Sequence, residues 1–129
     1  MILNRDSLWH RIFVYGTLRR DRPNHHVLWE SGCTDAVFEG TAATYNLFPL
    51  IIAPTFNSPL MLNAPDIGHR VAGELWRVTH KKLFKLDQVA HPLHLFIRRS
   101  IRLYMMEQGT SIVIAYAWLF RLFDHMRLD

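Results

Sequence analysis

With 129 residues, half of them apolar, the chain has the size of one domain and enough apolar side chains to bury a core. Its single cysteine, Cys33, excludes an internal disulfide, and no apolar run approaches the roughly 20 residues of a membrane-spanning helix. The net charge of +4 is carried by twelve arginines against three lysines, and arginine favours planar contacts with phosphates and carboxylates.

Apolar residues cluster in short β-rich runs, and these runs predict the strands. A run at 11–15 is stopped by Gly16 and predicts a buried first strand. A polar loop follows, and then a short helix at 25–30 with Asn24 as its cap. Later strands are predicted at 36–44, 45–52, 70–78, 96–104 and 111–119.

Prolines and helix caps define the remaining segments. The proline-rich segment 53–68 is predicted to be mostly loop or extended chain, and Thr79 caps a second helix that runs to about Val89. Strands outnumber helices, which predicts an α+β domain built on a closed or strongly curved sheet. The expected organisation is an N-terminal extension at 1–10, one domain at 11–119 and a C-terminal tail at 120–129.

A series of short motifs, kept in one order along the chain, resembles the gamma-glutamylcyclotransferase-like family over residues 11–119. The motifs are Val14-Tyr15-Gly16-Thr17-Leu18-Arg19-Arg20, Pro23-Asn24-His25, Phe48-Pro49-Leu50, Gly73-Glu74-Leu75-Trp76-Arg77-Val78, Leu86-Asp87 and Phe96-Ile97-Arg98. They are most similar to the gamma-glutamylamine cyclotransferase branch. The resemblance implies a small mixed β-barrel with a few short helices and a cavity.

The loop after the first strand is the ligand pocket that the resemblance implies. In active members this loop binds the gamma-glutamyl substrate through backbone amides, and its residues here are Tyr15, Gly16, Thr17 and Leu18. Glycine lets the backbone approach a ligand closely, and successive N–H groups can cradle a carboxylate. The alternative is that Gly16 only makes a tight turn.

The acid/base position of the family holds a different residue in this chain. Family members release 5-oxoproline with one glutamate, three residues after a Leu-Asp pair and six before a Tyr-x-Arg. That position is Ala90 here, and Phe96 replaces the tyrosine. Alanine cannot transfer a proton, so the sequence predicts loss of the family's general acid/base.

Two residues are candidate substitutes for the missing glutamate. Glu74 lies in a predicted strand, where a structural role is favoured, and His91 adjoins the vacant position with a suitable pKa. No cofactor is predicted. A zinc site at His91 and His94 is disfavoured, because no third ligand lies nearby in the sequence.

Three functions are compatible with these residues. The first, favoured by the missing glutamate, is a pseudoenzyme that serves as a structural or adaptor subunit of a larger assembly such as a mitochondrial ribosome or another ribonucleoprotein. The second is an active gamma-glutamyl(amine) cyclotransferase with a relocated acid/base, and the third is a small-molecule sensor that uses the retained pocket. The structural subunit would bind other protein subunits and RNA, and no membrane partner is expected. A mitochondrial location is favoured over the cytosol. The candidate contacts of the structural subunit are Arg19, Arg20, Arg22, Arg99 and Arg102.

Overall fold

The structure, a computed structural model, describes residues 8–16, 19–20, 22, 25–29, 34–53, 58–90, 95–106 and 111–121. The strands within these ranges are β1 (Trp9–Val14), β2 (Ala36–Thr44), β3 (Leu50–Ala53), β4 (Ser58–Met61), β5 (Ala72–Thr79), β6 (Phe96–Met105) and β7 (Ile112–Phe120). The helices are α1 (His25–Leu28) and α2 (His80–Ala90). No helix within the described ranges is long and apolar enough to cross a membrane.

Five strands close into a barrel in the order β1-β5-β2-β6-β7, while β3 and β4 form a separate two-stranded sheet. Neighbouring barrel strands are antiparallel except β1 and β7, which run parallel and pair at Ile12 and Tyr116. The predicted α+β fold with a closed sheet is therefore confirmed.

The core is divided between the inside and the outside of the barrel because side chains alternate along each strand. Ala115 and Ala117 of β7 belong to the interior cluster with Phe13. Tyr116 and Trp118 point the other way and pack in a second cluster. That second cluster also contains Leu83 and Leu86 of α2, so this helix lies on the outer surface of the barrel.

Gly73 allows β1 and β5 to approach each other closely. A Cβ atom at this position would collide with the carbonyl oxygen of Val14 and with the ring of Phe13. The absence of a side chain therefore brings the start of β5 against the end of β1, and this contact positions the next residue, Glu74.

Several strand bounds differ from those expected, most of them by one or two residues. Within the predicted stretch at 45–52, the strand begins only at Leu50, directly after Pro49. Strand β4 lies in the segment expected to be mostly loop or extended chain. It forms because its backbone pairs with β3 in spite of Pro59, one of the prolines on which the prediction of a loop rested. Strand β1 begins at Trp9, two residues before the predicted start.

Candidate active site

The strand directions bring the predicted site residues to one end of the barrel. Strand β5 runs antiparallel to β1, so Glu74 near its start pairs with Val14 at the end of β1. Helix α2 starts at the far end, beyond Thr79, and extends back over its eleven residues to end at Ala90. Strand β6 then starts at Phe96, paired with the last residue of β7. The end of α2 and the loop after β1 therefore belong to the same end of the barrel.

The loop after β1 begins with a tight turn at Gly16. This glycine has a φ angle of 72°, in the left-handed region that disfavours a side chain. Its carbonyl oxygen accepts hydrogen bonds from the backbone N–H of Arg19 at 3.3 Å and from the Arg19 Nε at 3.2 Å. Thr17 and Leu18 lie outside the described residues, so the structure describes the predicted pocket at Tyr15 and Gly16 alone.

Tyr15 fixes the start of this loop to two other strands. Its hydroxyl donates to the carbonyl oxygen of Trp118 in β7 at 2.8 Å and accepts from the backbone N–H of Met61 in β4 at 3.1 Å. Burial of the phenol raises its pKa to about 12, although the hydrogen bond from Met61 opposes this shift. Tyr15 is therefore neutral at physiological pH and acts as a structural anchor.

Replacing Tyr15 with phenylalanine is expected to lower the free energy of unfolding by about 1–3 kcal/mol at pH 7, because two backbone groups lose their partner. The wild-type protein should also lose stability as the pH rises from about 10 through 12, because the folded state holds the phenol neutral while the unfolded state ionises. The Tyr15→Phe variant should not show this loss of stability at alkaline pH, because it has no phenol at position 15. Urea unfolding at pH 7 and in alkaline buffer measures both effects.

Tyr104→Phe is the matched control, since the Tyr104 hydroxyl makes no hydrogen bond to the part of the chain that the structure describes. Equal stability losses in the two variants would show that Tyr15 is not an anchor.

Glu74 holds the loop after β1 against β5. Its Oε1 accepts hydrogen bonds from the backbone N–H of Arg20 at 3.0 Å and from the indole Nε1 of Trp76 at 3.1 Å, and its Oε2 accepts from Arg20 Nε at 3.2 Å. The residue is 7 % exposed. The Arg20 guanidinium in turn lies 3.7 Å from the ring centre of Phe38. This carboxylate is fully engaged, so it is a poor candidate for a base and a good anchor for the loop.

Asp87 makes a second cluster of the same chemical kind on α2. Its Oδ2 accepts from the Arg98 guanidinium and its Oδ1 from the indole Nε1 of Trp118, both at 2.8 Å. Glu74 and Asp87 are thus each held by one arginine and one tryptophan. Asp87 docks α2 onto β6 and β7, a role that the sequence analysis did not assign. Arg98 and Trp118 lie opposite each other in the register of β6 and β7, a pairing that no local sequence pattern reports.

Ala90, the predicted position of the family's glutamate, is the last residue of α2 and is half-buried. It lies about one helical turn after Asp87, so the docking of α2 also fixes its position. Phe96 packs edge-on against Phe120 with ring centres 5.5 Å apart, in an apolar cluster that includes Leu62. His91 and His94 lie outside the described residues. No group of three or more metal-ligating side chains occurs in the described ranges.

The five arginines predicted as partner contacts divide by their contacts within the domain. Arg19 donates to the carbonyl oxygen of Gly16 within the loop after β1, and Arg20 donates to Glu74 of β5. Arg99 donates to the Asn63 side chain at 2.6 Å, and Arg102 donates to Asn46 at 3.3 Å. The Arg22 side chain is exposed. Binding of RNA or protein by these residues stays a prediction, and the structure gives Arg20 a role inside the domain.

The barrel, the glycine turn after its first strand and the anchored loop together define a small α+β barrel domain with a candidate site at one end. Residues 12–127 match the sequence model of the family described as gamma-glutamyl cyclotransferase, AIG2-like. The chain belongs to this family.

Individual relatives agree with the family match. The chain is 46% identical to the gamma-glutamylaminecyclotransferase of Bos taurus over 77 residues, which cover 60% of this chain and 46% of the relative. It is 38% identical to the gamma-glutamylaminecyclotransferase of Rattus norvegicus over 96 residues, which cover 74% of this chain and 64% of the relative. The chain thus spans about half to two thirds of the length of these relatives. The crystal structure of an AIG2-like protein from Mus musculus superposes with a TM-score of 0.78 at 34% identity, covering 86% of this chain and 76% of that one.

These comparisons correct one prediction from the sequence. The description as a pseudoenzyme that serves as a structural subunit of a ribonucleoprotein is contradicted, because the family and the relatives named above are gamma-glutamyl cyclotransferases. The inference failed because it drew the function of the whole domain from one substituted position. The inference did not include Tyr15 and Glu74, whose role as anchors of the loop after β1 is visible only in the folded structure.

Proposed function

We propose that this chain is a gamma-glutamyl cyclotransferase that acts on gamma-glutamyl amines and releases 5-oxoproline. One observation carries the proposal: Tyr15 and Arg20, which flank the glycine turn after β1, are held by four hydrogen bonds, two of the Tyr15 hydroxyl and two from Arg20 to Glu74. Anchoring of this kind is what a ligand-binding loop needs. The names of the relatives supply the substrate class.

The reaction consists of one displacement within the substrate. The substrate's α-amine attacks its own γ-carbonyl carbon, which closes a five-membered lactam. The bond between that carbon and the leaving amine then breaks. The proton lost by the attacking nitrogen is returned to the leaving nitrogen, so one group that first accepts and then donates a proton is enough.

We assign this proton transfer to His91. Glu74 and Asp87 are each bound by an arginine and an indole, and protonating either carboxylate would break an ion pair. His91 directly follows Ala90 in the sequence. Imidazole titrates close to neutral pH, which suits a group that must both accept and release a proton.

Measurement of 5-oxoproline released from a gamma-glutamyl amine tests the assignment. His91→Ala is expected to lower kcat/KM by about a hundred- to ten-thousand-fold, and His94→Ala is the matched control because it removes a histidine from the same segment. Wild-type kcat/KM should rise with pH as the imidazole loses its proton, and His91→Ala should lack this component while it keeps the rise at higher pH that comes from the substrate's own α-ammonium group.

Other results would redirect or reject the assignment. Activity that survives His91→Ala would reject the assignment, and loss of activity in a Glu74→Gln variant that still binds the gamma-glutamyl amine would then place the base on β5. A thermal shift with a gamma-glutamyl amine, without any product from the wild-type protein, would favour the alternative of a ligand-binding sensor and reject turnover.

A further inference from the structure

A cleft opens between β1 and β7, at the barrel end opposite the candidate active site. These two strands pair at Ile12 and Tyr116, and they separate toward the start of β1. The cleft between them has a volume of about 470 Å³, which is within the usual range of small-molecule sites. Among the side chains that line it are Trp9, His10, Arg11, Arg77, Ser100 and Ile114.

Two arginines in this cleft face each other across neighbouring strands. Arg11 of β1 pairs directly with Arg77 of β5, and like charges at such positions are unfavourable unless something neutralises them. Glu39 lies 3.5 Å from Arg11, which is half-exposed. Arg77 lies 5.2 Å over the ring of Trp9, and no carboxylate in the described ranges forms an ion pair with it. The cleft therefore holds more positive charge than the described carboxylates balance.

His10 adds hydrogen-bonding groups rather than charge. Its Nε2 lies 3.2 Å from the Nδ1 of His80. Desolvation lowers the pKa of His10, and the neighbouring His80 and Arg98 lower it further, so its ring is neutral at and above neutral pH. The positive charge of the cleft accordingly comes from its arginines.

The cleft also has exposed apolar surface next to these charges. Ile114 is 64 % exposed and Trp9 is 42 % exposed. Side chains of this kind cover the non-polar part of a ligand, while a guanidinium binds phosphate or carboxylate oxygens in a planar fork. We propose that this cleft binds a small organic anion, with its phosphate or carboxylate on Arg77 and Arg11 and its non-polar part on Trp9 and Ile114.

Isothermal titration calorimetry at one fixed, low ionic strength tests the proposal with three probes. Adenosine monophosphate supplies a phosphate on a non-polar ring system, benzoate supplies a carboxylate on a ring, and adenosine supplies the ring system without charge. The variants are Arg77→Gln and, as a control of equal charge change, Arg70→Gln, which lies just before β5 at the other end of the barrel and contacts Tyr45. Both are exposed positions, and thermal unfolding checks that each variant remains folded.

The expected result is that wild-type protein binds adenosine monophosphate or benzoate more tightly than adenosine. Arg77→Gln should weaken that binding by about tenfold or more, and Arg70→Gln should leave it unchanged. Whichever of the two anions binds identifies the group that the cleft prefers. The proposal is overturned if neither anion binds, if both variants weaken binding equally, or if adenosine binds as tightly as adenosine monophosphate.

Discussion

Glutamate at position 90 should restore activity to a chain that lacks His91. In the His91→Ala background, Ala90→Glu is expected to raise the rate of 5-oxoproline release by about a hundred- to ten-thousand-fold. The reason is positional: Asp87 docks α2 through Arg98 and Trp118, so the last residue of this helix is held at the end of the barrel where the loop after β1 lies. A carboxylate there would supply the group that the resemblance places at this position.

Ala90→Gln in the same background is the control, because glutamine has nearly the same size as glutamate and cannot transfer a proton. An added negative charge at the end of a helix is unfavourable by about 0.3–1 kcal/mol, so the glutamate variant should still fold. Rates of 5-oxoproline release for the two double variants, compared with His91→Ala alone, provide the measurement. Equal rates in all three proteins would mean that position 90 does not face the substrate.

Loss of the Glu74 carboxylate should have the largest effect on the loop after β1. Glu74→Ala removes the acceptor of three hydrogen bonds and leaves Arg20 and Trp76 without their partner. Breaking a buried ion pair costs about 3–5 kcal/mol. Since the Arg20 side chain is 49% exposed and can be resolvated, a loss of about 2–3 kcal/mol in the free energy of unfolding is expected. Binding of a gamma-glutamyl amine should weaken in parallel, because the loop loses its anchor to β5.

Urea unfolding measures the stability and calorimetric titration measures the binding. Glu39→Ala is the matched control, since Glu39 also pairs with a half-exposed arginine, but at 3.5 Å and from a carboxylate side chain that is 23% exposed, against 10% for Glu74. Its expected cost is below about 1 kcal/mol. If Glu74→Ala were no more destabilising than Glu39→Ala, the role of Glu74 as the anchor of this loop would be wrong.

The sequence predicted the parts of the fold that depend on local patterns. The apolar run at 111–119 indicated a strand, and β7 places Ala115 and Ala117 inside the barrel and Tyr116 outside it. The predicted cap at Thr79 is confirmed, because its hydroxyl accepts a hydrogen bond from the backbone N–H of Lys82 at 3.2 Å.

The anchors of the candidate site could not be predicted in the same way. The Arg20–Glu74 contact joins residues 54 positions apart, and the contact between Asp87 and Trp118 spans 31. Such pairs form only when the barrel closes and α2 docks, so no local pattern reports them. The motif order suggested the family, whereas the substitution at Ala90 alone led to a wrong description of the domain as a pseudoenzyme. A single substituted position shows which side-chain group is missing, but only the folded structure shows whether the loop after β1 is anchored.

Release of 5-oxoproline by the wild-type protein tests the proposed function most directly. A gamma-glutamyl amine and its α-glutamyl isomer should be compared at equal concentration, because only the first can cyclise with loss of the amine. The account predicts 5-oxoproline well above the protein-free rate from the gamma isomer and none from the α isomer. Folded protein that releases no 5-oxoproline from the gamma isomer beyond the protein-free rate would contradict it.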